Sequence, residues 1–206
     1  GVSSAASDVY KRQLLLMDQS DQQDTKSAGS RLGHAVSRRL RLLHKAIVVE
    51  LWVNTVLASR FLPERARHFF LRLWGVPIGK GTSIRPGCRL GSKRLSIGSG
   101  CKIERIEYDG DAGLEIGDNS FVGRGVMVVT RTHPLGGPER RRGQGDIDRP
   151  VKIGRGCWIP QNAVISPGVE IADGCVVLSG AVVTASTQPN GLYGGVPAVR
   201  IRDLGE

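Results

Sequence analysis

His133 stands apart in a chain that contains four histidines, the other three being His34, His44 and His68. It is followed by Pro134 and opens a polar, arginine-bearing run, PLGGPERRRGQGDIDRP, over 134–150. An imidazole with an ordinary pKa near ~6.5 can accept a proton from a weakly acidic hydroxyl at neutral pH, and general-base help of this kind is worth about 10²–10⁴-fold in rate. The competing reading is a plain surface histidine. A connection longer than ~12–15 residues is usually functional or disordered, so the position of His133 at the mouth of one favours chemistry. Arg140, Arg141 and Arg142 in that run could meet an anion or could simply be solvated. A lone histidine past residue 68 cannot supply a three-histidine zinc site there, and no metal is expected. The four cysteines, Cys88, Cys101, Cys157 and Cys175, show no C-x-x-C spacing.

The elements that must position His133 follow a period of six. Aliphatic residues recur at Ile153, Ile159, Ile165, Ile171, Val177 and Val183, and earlier at Ile78, Ile84 and Leu90, at Ile97 and Ile103, and at Ile116, Val122 and Val128. Three residues after most anchors stands Gly or Asn (Gly81, Gly87, Gly100, Asn119, Gly125, Gly156, Asn162, Gly168, Gly174, Gly180), the types that tolerate a left-handed backbone. Four residues after stands mostly a small side chain, and all four cysteines fall there, as reduced core fillers; Thr132 is placed in the same set, while Arg94 and Glu107 depart from it. One short strand and one sharp turn per hexapeptide bury an apolar face only when coils stack, which predicts a solenoid over 76–188.

This repeat resembles the hexapeptide-repeat acyltransferases. The stretch from Ile116-Gly-Asp-Asn119 through Thr130-Arg-Thr-His133-Pro134, the loop, Pro150-Val-Lys-Ile-Gly154 and the ending Gly194-Gly-Val-Pro197-Ala198 is most similar to sugar O-acetyltransferases of the maltose and galactoside type. The N-terminal part is closer to exopolysaccharide-associated members. The resemblance implies a mainly β chain: a left-handed parallel β-helix of about five coils behind an α-helical segment, assembled as a homotrimer. It implies acetyl transfer from acetyl-CoA to a hydroxyl of a sugar, oligosaccharide or polysaccharide precursor, with His133 as base. The same resemblance places coenzyme A against Trp158, Gln161, Ser179, Thr184 and Arg202, and the acceptor near Glu104, Asp109 and Arg140. Ala185 and Val199 stand where family members often carry a basic residue, and Arg200 is expected to compensate for the second. An antibiotic-modifying acetyltransferase of the same fold and a non-catalytic scaffold remain alternatives.

Composition bounds the rest. The 206 residues carry 28 glycines, about twice the usual share, and few aromatics, so the core is built from small and β-branched side chains. Collagen and wholly disordered chains are excluded. The net charge of +10 concentrates in 31–75, where nine Lys/Arg face two carboxylates. That segment reads as basic and α-helical, with Ser30 as N-cap, apolar positions at Leu32, Val36, Leu40, Leu43, Ile47, Leu51 and Val53, and a second helix beginning at Pro63. It is a cap on the solenoid or a peripheral contact with an anionic membrane. No run of 18 uncharged apolar residues exists, and no nucleic-acid motif accompanies the charge, so a cytoplasmic or membrane-peripheral protein is expected. Residues 1–30 read as an adapter-derived leader followed by a disordered tail, and 189–206 as a C-terminal extension.

Overall fold

The period of six becomes a three-faced solenoid in the computed structural model, which describes residue 43 and residues 45–205. The expectations for 1–42, Ser30 included, lie outside the described residues.

Each tier of the solenoid gives one short strand to each face, and every strand pairs in parallel with the strand of the tier above or below. The first face stacks β3 (Leu95–Ile97), β6 (Leu114–Ile116), β11 (Val151–Ile153) and β14 (Glu170–Ile171). The second stacks β1 (Ser83–Ile84), β4 (Lys102–Ile103), β7 (Phe121–Val122), β12 (Trp158–Ile159), β15 (Val176–Val177) and β17 (Gly191–Gly195). The third stacks β2 (Arg89–Leu90), β5 (Glu107–Tyr108), β8 (Met127–Val128), β13 (Val164–Ile165) and β16 (Val182–Val183). The final strand, β18 (Ala198–Asp203), folds back antiparallel on β17 and closes that end.

The interior is a dry column of the anchor residues. Ile103, Val122, Ile159, Ile165, Ile171 and Val177 are fully buried. Between faces the backbone turns sharply, and three of the turns use asparagine at positive φ, Asn119 at 56°, Asn162 at 60° and Asn190 at 51°. The amide of Asn162 lies against Gly125 of the tier before, where a Cβ would overlap its oxygen, so the turn residue below must be glycine.

The small inward residues form a second column. Thr82, Cys101, Ser120, Cys157 and Cys175 each reach a backbone carbonyl of the next turn: Gly98 at 2.5 Å, Gly117 at 3.1 Å, Gly154 at 2.7 Å, Ala172 at 3.2 Å and Gln188 at 3.1 Å. All four cysteines are buried and unbridged. Burial pushes the thiols of Cys88 and Cys157 up to about 11.

The Glu107 departure has a structural cause, and one register expectation needs correction. At the Glu107 departure the turn is one residue shorter: Ile106 is buried instead, Glu107 faces out, and Tyr108 takes the aliphatic position with its hydroxyl donating to the Arg94 carbonyl at 2.8 Å. After Val128 the inward small residue is Thr130, not Thr132, because the chain leaves the repeat there to form the loop.

The N-terminal segment is helical but not in the α form throughout. The first helix, α1 (Lys45–Leu57), is wound as a π-helix, with Ala58 N–H bonding the Val53 carbonyl five residues back at 3.0 Å. That winding buries Val49, Val53 and Leu57 and leaves Ile47 and Leu51 in solvent, so the buried face differs from an α-periodic reading. The second helix, α2 (Glu64–Trp74), starts after Pro63 and ends at Gly75 in the left-handed conformation.

Arg67 ties both helices to the solenoid. Its guanidinium is buried and donates to the carbonyls of Leu57 (2.7 Å), Ser59 (2.7 Å), Leu62 (3.1 Å) and Ile84 (3.0 Å). Arg72 similarly donates to the Ile78 carbonyl at 2.9 Å. Part of the basic excess in 31–75 is therefore structural.

Candidate active site

The loop after Thr130 is held shut at its base. Strands β9 (Arg131–Thr132) and β10 (Ile147–Asp148) pair antiparallel, and Arg149 N–H donates to the Thr130 carbonyl at 2.8 Å. The Arg131 side chain clamps the same place. Its Nε and Nη2 form a fork on Asp148 at 2.6 and 2.9 Å, while Nη1 lies 3.1 Å from Asp111 and 3.3 Å from Asp146. The Asp148 hydrogen bond holds the guanidinium above its usual pKa, and Arg131 in turn holds Asp148 below the usual carboxylate range.

Asp109, one tier earlier, caps the start of this loop. Its carboxylate accepts from Thr130 N–H at 2.6 Å, from the Thr130 hydroxyl, and from Arg131 N–H at 3.3 Å. The oxygens expected to meet an acceptor are engaged in holding the backbone that carries His133.

His133 is partly buried by the folded loop. Its Nδ1 lies 2.9 Å from the Gly145 carbonyl and 3.2 Å from Asp146 Oδ1, and its Nε2 lies 2.9 Å from Arg142 Nη2. A guanidinium can only donate, so Nε2 must be the accepting nitrogen and the proton sits on Nδ1, donated to the Gly145 carbonyl. The ring is thus fixed as the neutral tautomer whose lone pair is on Nε2. Arg142 reaches it because the loop doubles back: Gly136 N–H bonds the Arg141 carbonyl and Gly143 N–H the Pro134 carbonyl, each at 2.9 Å. Arg140 and Arg141 are exposed at the tip.

The remaining site residues divide between two edges of the solenoid. His133, Asp109 and Thr184 follow strands of the third face and stand on its edge with the first. Glu104, Gln161 and Ser179 stand on the opposite edge of the third face, between the second face and the third. There the Ser179 hydroxyl is 3.5 Å from Gln161 Oε1, and Glu104 shares a cavity of about 430 Å³ with Arg60, Arg85, Arg105 and Arg124. Trp158 projects from the second face, 55% exposed, beside Phe121 and Val176. Arg200 is tied into the C-terminal hairpin through the Tyr193 hydroxyl (3.2 Å), the Pro189 carbonyl (3.0 Å) and Asp203, whereas Arg202 is exposed. The Thr184 hydroxyl is buried without a hydrogen-bond partner.

Asp146 was not singled out from sequence, and Arg142 was named with Arg140 and Arg141 as a contact for an anion, not as a partner of His133. An acid within the loop was visible, but its reach to Nδ1 depends on how the loop folds back. Among the described residues no cluster of three His, Cys, Asp or Glu could hold a metal ion.

Residues 150–185 match the family described as bacterial transferase hexapeptide (six repeats). A putative colanic acid biosynthesis acetyltransferase of Escherichia coli is 31% identical over 165 residues, covering 77% of this chain and 88% of that protein. The chain belongs to the hexapeptide-repeat acyltransferase family. Within this family, galactoside O-acetyltransferase of Escherichia coli is 34% identical over 119 residues, 54% of this chain. The matched stretch spans only 58% of that enzyme, and 44% of a putative acetyltransferase of Schizosaccharomyces pombe that is 38% identical over 91 residues, itself 44% of this chain. A hexapeptide-repeat acetyltransferase of Vibrio cholerae, solved with acetyl coenzyme A, superposes with a TM-score of 0.60 at 26% identity, covering 94% of this chain and 98% of that one.

Proposed function

We propose that this hexapeptide-repeat protein transfers an acetyl group from acetyl-CoA to a hydroxyl of a sugar, oligosaccharide or polysaccharide precursor, with His133 as general base. The observation that carries the reading is the anchoring of Nδ1–H on the Gly145 carbonyl, which leaves the Nε2 lone pair facing the loop. In the forward step, the acceptor O–H gives its proton to Nε2 while its oxygen attacks the thioester carbonyl. Asp146, 3.2 Å from Nδ1, stabilises the imidazolium that forms. Collapse of the tetrahedral intermediate breaks the C–S bond, and the imidazolium returns its proton to the departing thiolate, so no acyl-enzyme is required. The orphaned Thr184 hydroxyl, on the same edge as His133, fits a hydrogen bond to the amide-bearing arm of the donor. Arg202 is suited to a donor phosphate.

The placement of residues on two edges supports a site built between subunits of a homotrimer. His133 lies on one edge of the third face and Glu104, Gln161 and Ser179 on the other, so a pocket using both sets needs two chains. Residues 31–75 are proposed to contact an anionic membrane surface. Ile47, Leu51, Phe61, Phe69 and Leu73 are all exposed there, close in sequence to the exposed Arg60 and Arg65. Among the described residues no helix is long and apolar enough to cross a membrane.

The test is release of free CoA from acetyl-CoA, followed chromatographically over a panel of sugars, glycans and aminoglycoside and phenicol antibiotics, with His133→Ala alongside. Sugar-dependent release that falls at least about 100-fold in the variant supports the reading. Release confined to antibiotics favours the drug-modifying alternative. Equal release in both proteins removes His133 as base, and no release with no CoA binding leaves the scaffold.

A further inference from the structure

The Nε2 lone pair that must receive the acceptor's proton already receives a hydrogen bond from Arg142, 2.9 Å away. With the arginine in place the base can neither take up the proton nor carry it. A neutral His133 has its acceptor site filled, and a protonated His133 would set two cations at hydrogen-bond distance with no lone pair between them. Turnover therefore requires Arg142 to leave Nε2.

The loop offers little to draw it away. Asp111, Asp146 and Asp148 all converge on Arg131. Arg140 and Arg141 precede Arg142, and Glu139, the loop's remaining carboxylate, stands beside them at the exposed tip, which keeps a net positive charge. An anionic group on the incoming molecule supplies what the loop lacks. A carboxylate or phosphate forms a charge-assisted fork with a guanidinium, stronger than the single bond to a neutral imidazole.

A second basic feature stands at the other edge. The cavity holding Glu104 is lined by Arg60, Arg85, Arg105 and Arg124, four arginines against one carboxylate. A neutral sugar would find its hydroxyls facing an excess of cations, whereas an acidic one would compensate them.

We infer that Arg142 is a specificity-determining residue that caps the base until an anionic acceptor withdraws it, and that the acceptor is a saccharide bearing a carboxylate or phosphate near the acetylated hydroxyl. This rests on the proposed role of His133.

The experiment compares methyl glucuronide and glucose 6-phosphate with methyl glucoside, using the full chain and its Arg142→Ala and Arg142→Lys variants. For the wild type, kcat/KM is expected to favour an anionic sugar by at least about tenfold. In Arg142→Ala the anionic rate falls by a similar factor while the neutral rate rises, because the base is uncovered. Arg142→Lys keeps charge without the planar fork and retains part of the preference. The KM for acetyl-CoA stays constant throughout. No preference in the wild type, an equal loss on both acceptor classes, or a change confined to the KM for acetyl-CoA would each overturn the inference; the last would assign Arg142 to the donor phosphates.

A readout without turnover is the ¹⁵N shift of His133 Nε2. It is expected to move on titration with an anionic sugar and not with methyl glucoside, and to lose that response in Arg142→Ala. An Nε2 signal indifferent to both anionic sugars overturns the inference. His133→Ala separates the two levels: undiminished release in that variant rejects the base itself, while normal dependence on His133 with charge-blind acceptor use rejects only the role of Arg142.

Discussion

The Arg67 guanidinium donates to the Ile84 carbonyl, 17 residues away, at 3.0 Å, joining α2 to the first strand of the solenoid. Three further carbonyls, of Leu57, Ser59 and Leu62, converge on the same side chain. Burial holds its pKa below the ordinary arginine value, yet the cation persists because four acceptors surround it. Arg67→Met leaves those carbonyls without their donor, and the expected loss is about 3 kcal/mol. A shifted urea midpoint measures it; a midpoint within error of wild type would deny Arg67 this role.

His68 is held below the usual imidazole range, first by burial and then by Arg72 and Arg67, with Glu64 opposing. The folded protein therefore disfavours the charged ring. As pH falls below ~6.5 the unfolded chain binds a proton that the folded one resists, and stability declines until the folded pKa is passed. His68→Gln removes that component. Midpoints measured from pH 8 to pH 5 should fall less steeply in the variant, and parallel curves would assign the acid sensitivity elsewhere.

Asp146 is expected to act through His133. Asp146→Asn keeps the shape but loses the charge that stabilises the imidazolium, so kcat should fall by about 10–100-fold. Substrate KM values should change little. A rise in KM with kcat intact would make Asp146 a binding residue.

The cysteines supply a test of the core. With thiols buried and those of Cys88 and Cys157 pushed up to about 11, native protein at pH 8 should react negligibly with a thiol dye. All four should react on denaturation. Rapid modification of native protein would mean that the tiers open readily.

A site shared between chains predicts complementation. His133→Ala and Ser179→Trp disable opposite edges, and each alone should be inactive. Mixed oligomers assembled from equal amounts should recover about a quarter of wild-type activity, because a site needs an intact residue from each of two neighbours. No recovery from verified mixed oligomers would place the whole site in one chain.

The sequence made the solenoid readable because its information is local and repeated. A left-handed turn demands Gly or Asn, an inward position demands an aliphatic, and both recur in phase, so ten turn positions could be marked and all ten have positive φ. Where a tier loses one residue, as at Ile106, the period cannot say which side absorbs the change. The π-winding of α1 escaped for a related reason, since counting at an α-helical spacing selects Ile47 and Leu51 in place of Val49 and Leu57. His133 was legible as a lone imidazole at a loop mouth. The partners Arg142 and Asp146 were not, because their contacts arise only when the loop folds on itself. Nor did alignment to a family separate Glu104 from His133, which required knowing which strand precedes each.

The clamp of Arg131 on Asp148 has a consequence for how such a chain can change. Together with the bond from Arg149 N–H to the Thr130 carbonyl, it closes the loop's two ends against each other before the chain rejoins the stack. The tiers above and below are then indifferent to what lies between. Residues 134–144 form a cassette: their length and charge can be exchanged while the stack keeps its register and His133 keeps Gly145 and Asp146.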